Sequence, residues 1–125
     1  MTAKLWIRDS AGRRLIRADQ VVEIGTEEVH MAIAQTREAR WRLEVETLST
    51  YGGVDIASER GDWEIEPRQV TVAYGSSEDF RLHAHVRLAE TIATHLRSDS
   101  GGVIDVADET ETHEARFAFT EFSRD

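Results

Sequence analysis

Histidines, clustered acids and alternating glutamates are the residues of this chain whose types could carry out chemistry. The histidine pair is His83 and His85, which lie two residues apart. On an α-helix this spacing separates two side chains by about 200°, so they cannot bind one metal ion together. The usual helical metal pair is four residues apart. We therefore interpret both histidines as structural and expect no metal at this pair.

A run of acids near the end of the chain is the second candidate. It comprises Asp105, Asp108, Glu109, Glu111 and Glu114, with His113 among them. Calcium and magnesium prefer clustered oxygen ligands. The run lacks the spacing of a calcium-binding loop, because the glycines precede the acids and no glutamate closes a series of ligands at alternate positions. An exposed acidic loop is favoured, and we expect neither a metal nor another cofactor.

Glutamates on the polar faces of two predicted strands form the third candidate. They are Glu44, Glu46, Glu64 and Glu66. Two carboxylates can act as acid and base when burial or a like charge raises the pKa of one of them. The alternation of the strands turns these side chains to water, beside Arg42 and Arg68. They are predicted to be solvated rather than catalytic.

Other enzyme chemistries lack their motifs. No serine lies in a G-x-S-x-G sequence, and the glycine pairs at 52–53 and 101–102 lack the lysine and spacing of a phosphate-binding loop. The chain contains no cysteine, which excludes disulfides, thiolate catalysis and cysteine-bound zinc. The sequence specifies no reaction, which favours a protein that is not an enzyme and leaves an enzyme as the alternative.

Charge is distributed unevenly along the chain. The formal net charge is −9, and residues 98–125 hold eight acidic residues and two basic ones. The first 18 residues are basic instead, and we predict a candidate interaction surface there, formed by Trp6, Arg8, Arg13, Arg14 and Arg17. A protein partner and self-association both remain open. The overall acidity argues against nucleic-acid binding.

Length and composition favour one globular domain over residues 1–125, since 40% of the residues are hydrophobic. No apolar run approaches the length of a membrane-spanning helix, so no membrane partner is expected. The N-terminus lacks the apolar block of a secretory signal, and the absence of cysteine also fits a cytoplasmic location.

One helix is predicted at about residues 77–97. Ser76 or Ser77 can cap its N-terminus, and glycines at 101–102 can end it. Apolar residues recur there at helical spacing and are predicted to form the buried stripe: Leu82, Val86, Ala89, Ala93 and Leu96.

The rest of the chain is predicted to form strands. A hairpin covers residues 4–24, with a turn at 9–12 and a kink at 18–20. Further strands are predicted at 28–35, 40–48, 54–57, 63–66 and 68–74, with a bend or edge at Pro67, and a last pair at 103–106 and 115–122. The fold class is therefore α+β. We predict a mostly antiparallel sheet of about six to eight strands that packs on the helix, and a rolled form of this sheet is one of the arrangements left open.

Both ends of this pattern resemble a family of short, uncharacterised bacterial and phage-like proteins. That family begins with a W-[IV]-R-S hairpin, matched by Trp6, Ile7, Arg8, Leu15 and Ile16. It ends with an S-x-E-x-A helix, matched loosely by Tyr74, Ser76, Ser77, Glu78, Val86 and Ile92. This chain differs in its longer middle and after Gly101, and the resemblance implies no catalytic residue.

We therefore predict a small interaction or accessory protein of bacterial or phage origin. The alternative is a small ligand-binding protein or enzyme with a pocket between helix and sheet, containing His83, His85 or the strand glutamates. A deep pocket with buried polar groups would favour that alternative.

Overall fold

The computed structural model of the chain describes residues 4–29, 39–48, 67–97 and 101–122. Within these ranges the chain forms seven strands and one α-helix. The strands are β1 (Leu5–Arg8), β2 (Leu15–Arg17), β3 (Val21–Glu28), β4 (Trp41–Leu48), β5 (Pro67–Gly75), β6 (Gly102–Ala107) and β7 (Arg116–Glu121). The helix, α1 (Glu78–Leu96), follows β5. The predicted α+β class is confirmed, as is the strand pair after the helix.

The described strands form two sheets rather than one. The first has the order β2-β1-β6-β7 and the second β3-β4-β5, and neither closes on itself. All neighbours are antiparallel except β1 and β6. The division falls at the predicted kink, where Ala18–Gln20 forms a 3-10 turn with Ala18 buried. This turn ends the hairpin at β2 and sends the chain into the second sheet as β3.

The buried face of α1 differs from the predicted one. Phe80, Ala84, Leu88 and Ile92 are buried, whereas Leu82, Val86 and Leu96 are 46%, 43% and 48% exposed. The prediction that the side chains of Leu82, Val86 and Leu96 are buried in the core is therefore wrong. Both stripes have helical spacing, and the one that contains Phe80 packs inward. Its ring occupies the space beside Gly75, where any side chain would collide with it.

The core lies between α1 and the inner faces of the two sheets. Ile7 and Ile104 come from the first sheet, and Leu43, Val45 and Val72 come from the second. The alternation predicted for residues 40–48 is confirmed, because Leu43, Val45 and Thr47 are buried between more exposed neighbours. The strands predicted at 28–35, 54–57 and 63–66 lie mostly or wholly outside the described residues.

No helix among the described residues is long and apolar enough to span a membrane.

Candidate functional site

A cleft of about 850 Å³ opens between β2 and the adjoining ends of β4 and β5. We call it the basic cleft. Its walls are Trp6, Arg14, Leu15, Ile16, Arg17, Gln20, Thr47, Arg68, Gln69 and Val70. Three arginines and one tryptophan thus line a single concave surface of a protein whose net charge is −9.

Local structure at the first turn positions the N-terminal arginines. Gly12 adopts a positive φ of 70°, a conformation that glycine takes without steric cost. The Asp9 carboxylate accepts hydrogen bonds from the backbone N–H groups of Arg13 and Arg14, at 2.8 and 3.1 Å. The turn predicted at 9–12 therefore forms, and it leaves both arginine side chains exposed.

The structure brings three of the five predicted surface residues into the cleft. Trp6 lies opposite Arg17 in the β1–β2 pair, and Arg14 precedes β2. Arg8 is instead paired with Asp105 at 3.4 Å, and Arg13 does not line the cleft.

The three arginines of the cleft differ in their ion pairing. Both oxygens of Asp19 accept hydrogen bonds from Arg17, from Nε at 3.1 Å and from Nη2 at 2.7 Å. In the described part of the chain, neither Arg14 nor Arg68 has an ion-pair partner. Both Arg14 and Arg68 are exposed.

Sequence analysis missed Arg68 as a member of this site and grouped it with the strand glutamates. The register of the β4–β5 pair places Arg68 opposite the buried Thr47, whose hydroxyl lies 3.5 Å from the Arg68 carbonyl oxygen. Arg68 therefore lies on the cleft side of its strand. Strand register depends on residues distant in sequence, so no local signal marked this position.

The two strand glutamates that the structure describes, Glu44 and Glu46, have different partners. Glu44 lies 2.7 Å from Arg42 Nε, which donates no aligned hydrogen bond, so this contact is electrostatic. Glu46 lies opposite Glu23 of β3. A hydrogen bond with Glu23, reinforced by partial desolvation and by the like charge, raises the pKa of Glu46. Glu64 and Glu66 lie outside the described residues.

Part of the acidic run has a structural role, which corrects the expected exposed loop. Asp108 Oδ1 accepts a hydrogen bond from the Tyr74 backbone N–H at 2.8 Å. Glu109 Oε1 accepts from the N–H groups of Ser76 and Ser77 at 2.9 and 2.8 Å, and Oε2 accepts from the Ser77 hydroxyl. Ser77 Oγ in turn caps α1 by accepting from Phe80 N–H at 3.0 Å. These contacts join the end of β6 to the start of the helix.

Burial acts to raise the pKa of Glu109, but the hydrogen bonds from Ser77 and Ser76 outweigh it, so that this pKa lies below its ordinary value. Folding therefore favours the ionised carboxylate. The resulting stability is present above the ordinary glutamate pKa, and it is lost as the pH falls through the lowered value.

We expect Glu109→Gln to lower the free energy of unfolding at neutral pH by about 1–2 kcal/mol, because the hydrogen bonds lose their charged acceptor at a partly exposed site. The deficit should shrink as the pH falls through the lowered pKa of Glu109, where the wild-type carboxylate becomes protonated and loses its charge. Urea unfolding across this range measures it, with the exposed Glu111→Gln as control. A deficit that is constant with pH would contradict the prediction.

The three histidines of α1 have separate surroundings. His83 is exposed, His85 is partly buried with Nδ1 lacking a hydrogen-bond partner, and His95 stacks on Phe119 with ring centroids 3.8 Å apart. Among the described residues, no three histidine or acidic side chains are placed to hold a metal ion.

Unlike Trp6, Trp41 does not line the basic cleft. The Arg81 guanidinium lies over the ring of Trp41, with its Cζ atom 5.5 Å from the ring centroid. The third tryptophan, Trp63, is not among the described residues.

Comparison of the chain with protein-family models, with curated proteins and with solved structures finds no match. The resemblance to short bacterial and phage-like proteins therefore stays a prediction.

Proposed function

We propose that this protein is a non-enzymatic interaction module that binds an acidic segment of a partner protein in the basic cleft. The observation that carries the proposal is the pair of exposed guanidinium groups, Arg14 and Arg68, which have no ion-pair partner among the described residues and line the same cleft as Trp6. A local concentration of cations in an acidic protein attracts a partner of opposite charge to one place on its surface.

The cleft offers chemistry suited to carboxylates. A guanidinium group can donate two parallel hydrogen bonds to a carboxylate, and such charge-assisted bonds are stronger than neutral ones. Trp6 adds a large apolar surface beside them, as tryptophan does at the centre of many interfaces. Because Arg17 is paired with Asp19, it forms part of the cleft wall but does not add an unpaired positive charge.

The cleft, of about 850 Å³, lies within the range of about 300–1,000 Å³ that is typical of small-ligand pockets, so the case for a peptide rests on charge and on Trp6 rather than on size. The net charge of −9 opposes binding along a nucleic-acid backbone. A bacterial or phage origin and a cytoplasmic location belong to the same proposal. Their support is the resemblance of the hairpin and helix, and the absence of cysteine.

Fluorescence anisotropy with a labelled nine-residue peptide rich in glutamate and aspartate tests the proposal. We expect saturable binding that weakens as salt is added, because exposed charges are screened. The double variant Arg14→Gln/Arg68→Gln should bind at least about tenfold more weakly, because charge-assisted hydrogen bonds are lost. The control Arg97→Gln/Arg116→Gln removes equal charge from exposed positions outside the cleft and should bind as the wild type does.

Equal weakening in both double variants would attribute binding to net charge alone and overturn the proposal. Inorganic phosphate serves as a second probe. If phosphate displaces the peptide at micromolar concentration, the cleft is a small-anion site, and the alternative of a small ligand-binding protein gains support instead.

A further inference from the structure

A second concave surface, of about 520 Å³, lies between β3 and the C-terminal half of α1. We call it the apolar groove. The helix side of the groove consists of six residues, His85, Val86, Ala89, Ile92, Ala93 and Leu96. Val86, Ala89, Ala93 and Leu96 are four of the five residues of the stripe predicted to be buried. Across from them, Val22 is 56% exposed. Exposed apolar surface that forms one continuous groove is typical of an interaction site.

The groove follows the open edge of β3. Four consecutive residues, Val21–Ile24, line it. Successive side chains of a strand point to opposite faces of the sheet, so a surface that touches all four runs along the strand edge. Among the described residues β3 pairs only with β4. An edge strand presents unpaired backbone N–H and C=O groups along its free side.

An irregularity in β3 directs one side chain into the groove. The register of β3 against β4 shifts between Val21 and Glu23, so Val22 has no counterpart in β4. Such bulges occur preferentially at sheet edges, where they redirect a side chain.

The charged side chains that line the groove are acidic. They are Asp19 and Glu23, and neither lysine nor arginine lines it. Asp19 is already paired with Arg17, whereas Glu23 faces Glu46 across the β3–β4 pair. Like charges placed opposite each other on neighbouring strands are destabilising, so a cation supplied here would relieve their repulsion.

We propose that the apolar groove binds an extended segment of a partner protein, with alternating apolar and basic residues, which adds to β3 as a further strand. Backbone hydrogen bonds to β3 supply affinity, and the side chains supply specificity, as in other cases of strand addition. The apolar side chains pack on Val86, Ala89 and Ala93. The basic side chains on the opposite face meet Glu23 and Glu46.

A second copy of this chain is a poor occupant. β3 itself carries Glu23, Glu27 and Glu28, so pairing two copies through this edge brings acids against acids. The groove is also separate from the basic cleft, and the two sites select partner segments of opposite charge. Failure of one site in a binding experiment therefore leaves the other untouched.

The probe is a fluorescein-labelled nine-residue peptide of alternating lysine and valine. We expect it to bind the full chain and to shift the backbone amide signals of Val21–Ile24 and of the helix residues that line the groove in ¹⁵N-resolved spectra. Replacing its lysines by glutamate, or methylating alternate backbone nitrogens, should weaken binding at the groove, followed by the Val21–Ile24 amide signals, at least about tenfold, because charge complementarity or strand pairing is lost.

Matched variants locate the site. Ala93→Arg fills the groove and should weaken binding at least about tenfold, whereas Ala118→Arg adds the same group to an exposed position on β7 and should not. Glu23→Gln should weaken binding of the lysine peptide, with Glu121→Gln as control. No binding up to millimolar peptide, equal effects of the two arginine variants, or equal shifts of the Val21–Ile24 amide signals by the glutamate peptide would overturn the proposal. A homodimer in sedimentation that Ala93→Arg dissociates would overturn it as well.

Discussion

Leu88→Asp is expected to leave the protein unfolded at 25 °C, whereas Val86→Asp is expected to fold. Leu88 is fully buried against both sheets, and truncation of a buried leucine to alanine alone costs about 2–5 kcal/mol. A carboxylate in its place adds the penalty of an unpaired charge in an apolar core. The sum approaches the whole stability of a small domain, which is about 5–15 kcal/mol.

Val86 is the matched control because it lies two residues away on the same helix and is 43% exposed. Substitutions at such surface positions usually change stability by about 0.5 kcal/mol or less. Far-UV circular dichroism and urea unfolding of the two variants compare the two faces of α1 directly. If Val86→Asp unfolds and Leu88→Asp does not, the opposite stripe of the helix faces the core.

Gly102→Ala is expected to lower the free energy of unfolding by about 1–3 kcal/mol, the range for overpacked cores. A Cβ at this position would collide with the Thr120 carbonyl oxygen and the ring of Phe119. The carbonyl belongs to β7, which pairs with β6 along its whole length, so it cannot move without disturbing that pair. The ring also stacks on His95, so its displacement reaches α1.

The control for this effect is Gly25→Ala, also within a strand. No atom lies within 4 Å of a Cβ built at Gly25, and its φ is not in the left-handed region. Alanine there should be neutral or stabilise by up to about 1 kcal/mol, because it lowers the entropy of the unfolded chain. Thermal and urea unfolding measure both variants. Equal stability of Gly102→Ala and the wild type would mean that β7 does not approach Gly102 as described.

Several local features follow from the sequence alone. Ser77 caps α1 because a hydroxyl just before a helix can accept a hydrogen bond from its first turn. The turn at 9–12 forms because aspartate and glycine stand where it needs a short acceptor and a positive φ. The alternation in β4 predicts its buried face correctly. In each case the interacting groups lie within a few residues of one another.

The inward face of α1 was not decided by such local signals. Two neighbouring stripes, one through Phe80 and Leu88 and one through Val86, both satisfy helical spacing. The inward stripe packs against the two sheets, and Phe80 fits the space left by Gly75. That choice depends on the shape of the opposing surface, which the helix sequence does not contain.

The sequence by itself determined the α+β class, the basic β1–β2 hairpin and, among the described residues, the approximate boundaries of β4 to β7 and of α1. Only the tertiary structure decided that Arg68 joins Arg14 in one cleft, that Glu23 faces Glu46, and that Glu109 caps a turn 32 residues earlier. The physical reason is range. Capping, turns and periodicity act between near neighbours in the chain, whereas a cleft or an acid pair depends on the register and packing of strands that are far apart in sequence.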